Sequence, residues 1–253
     1  MLPAWLRTWL ADFATAATLL TRLPMPSGGG TPDLAESLRA APLVGAGIGL
    51  SVAAVFALVQ HWGGSPLLAA TLAVLSGTVL TGALHEDGLA DVADAFGAAR
   101  DRERTLEILR DSRLGTYGVL ALIASFALRV VSLGSVAEPS VATAVLVAAH
   151  AASRSGFALS VARIPPARPD GLAAMMRRPR EPVVWTALAL GAGGLWIGLG
   201  LGGGLLAAAA FGLAGWWLMA LARRRIGGHT GDVLGAQQQI GEVMVLVLAA
   251  MSL

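Results

Sequence analysis

A chain of 253 residues that is 55% hydrophobic and 13% charged, with a mean hydropathy of +0.69, is far from the quarter-charged average of soluble domains and reads as one polytopic membrane domain, 1–253. Cysteine is absent, which removes disulfides, thiolate nucleophiles and Cys-based metal sites together. All eighteen basic side chains are arginine, so the pI of 10.3 reflects groups that never deprotonate, while a net charge of +2 gives no reason to expect nucleic acid.

Trp5 to Leu20 predicts a short amphipathic helix. Trp5, Trp9 and Phe13 recur at i, i+4 and i+8, with Arg7 and Asp12 elsewhere on the wheel, a pattern suited to the membrane interface rather than to a crossing. The run has no small-residue cleavage site, so no cleaved leader is expected. A loop rich in Pro, Gly and charge follows, 22–41. Spans are then predicted at 42–60, 66–84, 115–134, 140–162, 183–200, 203–222 and 233–253, each near the twenty residues a bilayer core requires. No alternating strand pattern is present, so the expected class is all-α: about seven transmembrane helices plus the N-terminal amphipathic helix.

Arginine supports this division. Loops 22–41, 85–114, 163–182 and 223–232 carry two, five, five and three arginines, whereas 61–65, 135–139 and 201–202 carry none. The strict alternation places the arginine-bearing loops in the cytoplasm by the positive-inside rule.

One of those loops concentrates the acidic residues. His85 to Gly118 holds eight of the chain's sixteen carboxylates. On a helix, Asp87, Asp91 and Asp94 fall within roughly 60° of one another. Like charges so placed repel, and a hard divalent cation offsets the repulsion directly; Mg²⁺ held by one or two carboxylates normally completes its shell with water and substrate phosphates. His85 lies about 160° from that face, which suits an outer or substrate contact better than ligation.

Inside the spans, His150 and Arg154 sit one turn apart and Arg129 stands late in its helix. Such charges either pair structurally or meet an anionic ligand, and the residues leave both readings open. Two glycine-punctuated helix starts look suited to phosphate: Asp111-Ser112-Arg113-Leu114-Gly115-Thr116-Tyr117-Gly118 and Gly228-His229-Thr230-Gly231-Asp232. Both are expected on one membrane face, around one pocket. The glycines within the spans read as close-packing positions.

Four motifs in order resemble the adenosylcobinamide-GDP ribazoletransferases, the cobalamin synthases, over nearly the whole chain. They are Thr21-Arg22-Leu23-Pro24, His85-Glu86-Asp87-Gly88-Leu89-Ala90-Asp91-x-x-Asp94, Asp111-Ser112-Arg113-x-Gly115-Thr116-Tyr117-Gly118 and Gly228-x-Thr230-Gly231-Asp232-x-Leu234-Gly235-Ala236. One departure is Ala95, where the family usually has Gly. The resemblance implies a multi-pass transferase of the bacterial inner membrane, with its active site facing the cytoplasm. It would use Mg²⁺ to join adenosylcobinamide-GDP to α-ribazole or its 5′-phosphate with release of GMP. It further implies Mg²⁺ on Asp87, Asp91 and Asp94 with Glu86 as an outer candidate, and Asp111 as ligand or proton acceptor with His85 beside the reaction. Arg110, Arg113, Arg154, Thr116 and Asp232 would touch substrate. Partners are then the two substrates and the bilayer, with self-association left open. Two further classes would also place carboxylates on membrane helices. CDP-alcohol phosphotransferases differ because Asp94 is not followed by Gly, and an aromatic prenyltransferase would need a second aspartate cluster where Asp232 stands alone. A transporter would set its carboxylates at mid-membrane between repeats.

Overall fold

The computed structural model describes residues 2–26, 33–99, 101–111, 113–136 and 138–252; Arg100 and Ser112, on which part of the sequence reading falls, lie outside them. Among the described residues no strand forms. The helices are α1 (Ala4–Leu20), α2 (Leu34–Ser37), α3 (Ala41–His61), α4 (Pro66–Thr81), α5 (Leu84–Ala98), α6 (Arg102–Ile108), α7 (Thr116–Gly134), α8 (Pro139–Arg163), α9 (Leu172–Met175), α10 (Glu181–Ile226) and α11 (Gly231–Ser252). Five stretches, those of α3, α7, α8, α10 and α11, are long and apolar enough to cross a membrane, and the bent pair α4–α5 makes a sixth. The protein is a polytopic helical membrane protein.

The 46-residue α10 is two helices. Gly200 has φ 68° and ψ 177°, a conformation essentially restricted to glycine, and the chain folds back there. A Cβ on Gly204 would lie 3.0 Å from the carbonyl oxygen of Leu195, and Leu188, Leu195, Phe211 and Met219 line one cavity of about 380 Å³ against α8. A straight helix rising about 1.5 Å per residue would separate Leu188 from Met219 by more than 40 Å. The limbs 181–199 and 201–226 therefore form a hairpin, matching the two spans expected there. With the limbs counted separately and the bent pair α4–α5 as one, seven helical stretches are candidates to cross.

The N-terminal helix buries only Ala16, Ala17 and Leu20 near its end. Asp12 pairs with Arg39, whose guanidinium also lies 4.5 Å from the centre of the Trp9 ring. Deeper in the bundle, α3 crosses α8 at backbone contact, since a Cβ on Gly49 would come within 2.7 Å of the Leu146 carbonyl oxygen; small residues let helices approach in this way where lipid supplies no hydrophobic drive.

The corner between α4 and α5 positions the acidic helix. Gly82 and Ala83 both take left-handed backbone angles, φ 66° and 57°, and the chain turns by 90°. Arg22, from the first motif, packs its guanidinium on Gly82, and its backbone N–H donates to the Leu80 carbonyl at 2.8 Å. Directed across the end of the bundle, α5 rests on a small core of its own formed by Val92, Ala95, Leu109, Met219, Ile226 and Val233.

Candidate active site

The acidic helix is clamped at both ends by the two glycine-rich helix starts. Near its beginning it meets α11, where a Cβ on Gly88 would lie 2.7 Å from the Asp232 carbonyl oxygen, while Gly235 faces the backbone of His85. Near its end it meets α7. The Asp94 carboxylate accepts from the backbone N–H of Gly115 at 2.7 Å and of Gly118 at 2.9 Å. These are orphan donors of the first turn of α7, and an anion there also complements the helix dipole. The helix start that looked suited to phosphate is thus filled by a carboxylate of the protein itself. Thr116, the first residue of α7, is exposed.

Asp87, Asp91 and Asp232 face one another electrostatically. Burial pushes the Asp91 carboxyl up to about 7, and the charges of Asp87, Asp232 and Asp94 push in the same direction. Asp232 accepts from the Thr230 hydroxyl at 3.0 Å, while that hydroxyl accepts the Val233 N–H and so caps α11. Among the described residues no three acidic or histidine side chains stand close enough to enclose a metal unaided. The donors nevertheless fit a hard cation such as Mg²⁺, which takes one or two carboxylates and draws its remaining oxygens from water and phosphate. The repulsion that raises Asp91 is what such an ion would relieve.

The other residues expected at the site divide into three groups. Arg113 and Asp111 form a local forked pair on the surface, 2.5–3.0 Å apart, and the hydrogen bonds from Arg113 hold the Asp111 carboxyl down at about 2. Arg110 reaches instead to Asp170, at 2.9 and 3.1 Å. Glu86 and Arg154 belong to a cluster inside the bundle. Glu86 Oε1 accepts from Arg129 at 3.1 Å and from the Thr78 hydroxyl at 3.0 Å, and Arg154 lies against His150 with Glu242 at 3.9 Å. In the structure these two residues stand apart from Asp87, Asp91 and Asp232, and their polar partners are one another's neighbours. His85 stacks on Phe157 with ring centres 6.1 Å apart and is 2% exposed.

A chamber of about 250 Å³ opens beside the carboxylates, lined by His85, Asp87 and Asp232 together with Phe157, Met176 and Arg168. Sequence reasoning did not single out Arg168. The loop that carries it, between α8 and α9, has no period, and its five arginines signalled only which side of the membrane it occupies. Arg102 ties the same loop down, its guanidinium donating to the carbonyls of Ile226 at 3.0 Å and Ala167 at 2.9 Å.

Long apolar helices, with an acidic helix laid over one end of the bundle and glycine-rich helix starts on either side, define a polytopic membrane protein with a polar site at its edge. The family profile described as cobalamin-5-phosphate synthase matches residues 12–250. Similar proteins include the adenosylcobinamide-GDP ribazoletransferase of Bradyrhizobium diazoefficiens, 46% identical over 97% of this chain and 95% of that one, and its counterpart in Mesorhizobium japonicum, 42% identical over 98% and 95%. The namesake in Rhizobium meliloti is 42% identical over 96% and 97%. No solved structure matches. The chain belongs to the cobalamin-5-phosphate synthase family.

Proposed function

We propose that the chain joins adenosylcobinamide-GDP to α-ribazole or its 5′-phosphate and releases GMP, completing the nucleotide loop of cobalamin. The observation that carries this is family membership over 12–250, with relatives of that name matched along almost their full length. The arginine alternation supports a multi-pass placement in the bacterial inner membrane with the site toward the cytoplasm.

In the reaction a ribose hydroxyl of the acceptor forms a new O–P bond, the bond to GMP breaks, and the hydroxyl proton is lost. Asp87 and Asp91 would hold Mg²⁺, with Asp232 facing them and Asp94 at the edge of the group. The ion would supply charge neutralisation at the phosphoryl oxygens and the leaving group. Clamped between α7 and α11, α5 fixes the direction of its carboxylates before substrate arrives, and positioning of this kind is the main protein contribution to phosphoryl transfer. Asp111 is ionised, but a carboxyl held near 2 is a weak proton acceptor at neutral pH, and its contribution is to orient Arg113 at the rim. Arg113 and Arg110, both exposed, would meet the phosphates of the larger substrate, exchanging their pairs with Asp111 and Asp170 for phosphate oxygens.

The test is GMP release from adenosylcobinamide-GDP by the purified protein, with and without Mg²⁺ and α-ribazole. Release only when both are supplied is expected. Release without any acceptor would indicate a pyrophosphatase, and no release under any condition would overturn the reading.

A further inference from the structure

We propose that the cleft between the two limbs of α10 is a lipid site, holding an acyl chain of an anionic phospholipid whose phosphate lies against Arg163 and Arg223. The site is separate from the carboxylates and does not depend on the reaction proposed above.

The cleft follows from where each limb packs. The first limb rests on α8, where a Cβ on Gly191 would lie 2.5 Å from the Ser155 side chain and one on Gly198 2.6 Å from the Ala144 carbonyl oxygen. The second limb rests on α11: a Cβ on Gly215 would come within 3.2 Å of Gln237 Nε2, and one on Gly241 within 2.6 Å of the Phe211 ring. The limbs meet each other near the reversal, at Leu195 and Gly204, and farther down they enclose the cavity of about 380 Å³. Its lining on the second limb runs from Ala208 to Met219, a rise of about 16 Å. That is the depth of one leaflet, half of a hydrocarbon core of about 30 Å. Trp216 lines the cavity and is 70% exposed, so the cleft opens sideways to the bilayer. Most of the wall is apolar, and a cavity of that kind stays free of water and takes an apolar guest.

Two observations say which guest. The mouth of the cleft, on the arginine-bearing side of the bundle, is cationic. Arg163 lines it and donates from both Nη atoms to Glu181, at 2.7 and 2.9 Å, which leaves Nε for another acceptor. Arg223 continues the cavity-lining row of Gly212, Gly215 and Met219 by one more turn. It is exposed and makes no ion pair among the described residues. Inside the mouth lies Gln237, only 5% exposed. Its Oε1 accepts from the Ser160 hydroxyl at 2.7 Å, while its Nε2 lies against Gly156 and Gly215 of the cavity wall and meets no acceptor among the described residues. Ser160 is one turn deeper in α8 than Arg163, which sets this amide donor about 5 Å inside the arginines. A phospholipid presents its acceptors in the same order: phosphate at the headgroup, an ester carbonyl beneath it, then the chain. A spanning helix of a second copy would offer Gln237 nothing, since its carbonyls are bonded within the helix. Basic pockets between spans on this side of the membrane suit anionic headgroups.

The experiment titrates delipidated protein in neutral detergent with phosphatidylglycerol or phosphatidylcholine of the same chain length and reads binding by native mass spectrometry. Wild type should hold one lipid per chain and prefer phosphatidylglycerol by at least about tenfold, since each arginine near an anionic headgroup contributes about fivefold. In the double variant Arg163→Gln, Arg223→Gln that preference should fall below about threefold while phosphatidylcholine binds as before. A Cβ on Gly212 meets open space, so Gly212→Leu fills the cleft without forcing a neighbour aside. It should weaken both lipids at least about tenfold through lost chain burial, and abolish the rise in melting temperature that phosphatidylglycerol gives the wild type. Equal affinity of the wild type for the two lipids, or a Gly212→Leu chain that binds them like wild type, overturns the proposal. So does a lipid-free dimer that Gly212→Leu dissociates, which gives the cleft to a second copy. Should Gly212→Leu fail to fold, the double arginine variant decides: an undiminished preference for phosphatidylglycerol overturns the site.

Discussion

Asp91 and Asp94 occupy one face of one helix, yet their surroundings predict different losses. Asp94 spends its two oxygens on Gly115 and Gly118, so Asp94→Asn turns an amide N–H₂ toward one of those donors and removes the charge from the start of α7. Stability in detergent should fall by about 1–2 kcal/mol, as when a helix cap is removed. Asp91 has no such structural duty and its charge is opposed by burial and its neighbours, so Asp91→Asn should raise the metal-free melting temperature at neutral pH and above while Mg²⁺-dependent turnover falls by orders of magnitude. Equal melting losses in the two variants would show that Asp91 is structural as well. The same residue sets a pH dependence. Its carboxyl is raised to about 7, so it is largely protonated below that pH, and a metal ligand must be ionised. Mg²⁺ affinity, measured by calorimetry, should rise with pH up to about 7 and level off above it, and Asp91→Asn should flatten the curve. Affinity that is level from pH 5.5 to 8 in the wild type would remove Asp91 from the metal site. The carboxylate face was legible because helical period is a local property of the sequence. The partners of Asp94 were not, since they lie more than twenty residues away and are backbone groups. Arg168 was illegible for a related reason: its place beside the chamber comes from hydrogen bonds between its loop and the turn at His229.

At the scale of elements, the spans were readable from apolar length, and the departures concern how helices end. Gly200 sits in a glycine-rich stretch whose expected role was close packing; its backbone angles instead make it the reversal point of the α10 hairpin. The expected break between spans was therefore placed within a few residues, without its cause. The corner at Gly82 and Ala83 lies at the predicted end of the second span, but nothing local indicated a right-angle turn or the role of Arg22 in filling it. The hairpin has a direct consequence for topology. If the limbs 181–199 and 201–226 each cross the bilayer, Leu201 emerges on the face that carries Gly64, opposite Ala98. The chain has no cysteine, so Leu201→Cys, Gly64→Cys and Ala98→Cys can be read one at a time. An impermeant thiol reagent applied to intact cells should label the first two and spare the third. Labelling of Ala98→Cys together with Gly64→Cys would overturn the orientation, and an unreactive Leu201→Cys beside a reactive Gly64→Cys would place the reversal within the membrane.

Across the whole molecule, the acidic helix is tied to the bundle interior through the residue next to its first aspartate. Glu86 reaches inward to Arg129, which also donates to Glu242 at 3.3 Å; Glu242 in turn lies 3.1 Å from His150 Nδ1, near Arg154, and accepts from Gln238 at 2.5 Å. Two arginines and two carboxylates from α5, α7, α8 and α11 thus balance one another in a region where an unpaired charge is costly. The sequence marked Arg129 on one helix and His150 with Arg154 on another as polar oddities, but their shared pairing with Glu86 and Glu242 depends on how the helices pack. Such a network specifies arrangement more than it adds stability, because burial of the ions offsets most of their attraction, whereas removing one partner leaves an opposite charge uncompensated. Glu242→Gln should therefore destabilise the protein by about 3–5 kcal/mol, seen as a lower melting temperature in detergent and slower GMP release as α5 loses its anchor. Arg154→Met in the same chain removes the excess positive charge while keeping a long apolar stem. The double variant should then melt above Glu242→Gln alone, with a coupling of about 0.5–3 kcal/mol. Strict additivity of the two losses would mean that Arg154 and Glu242 do not sense each other's charge, and that the acidic helix is anchored by packing on its own small core rather than through this cluster.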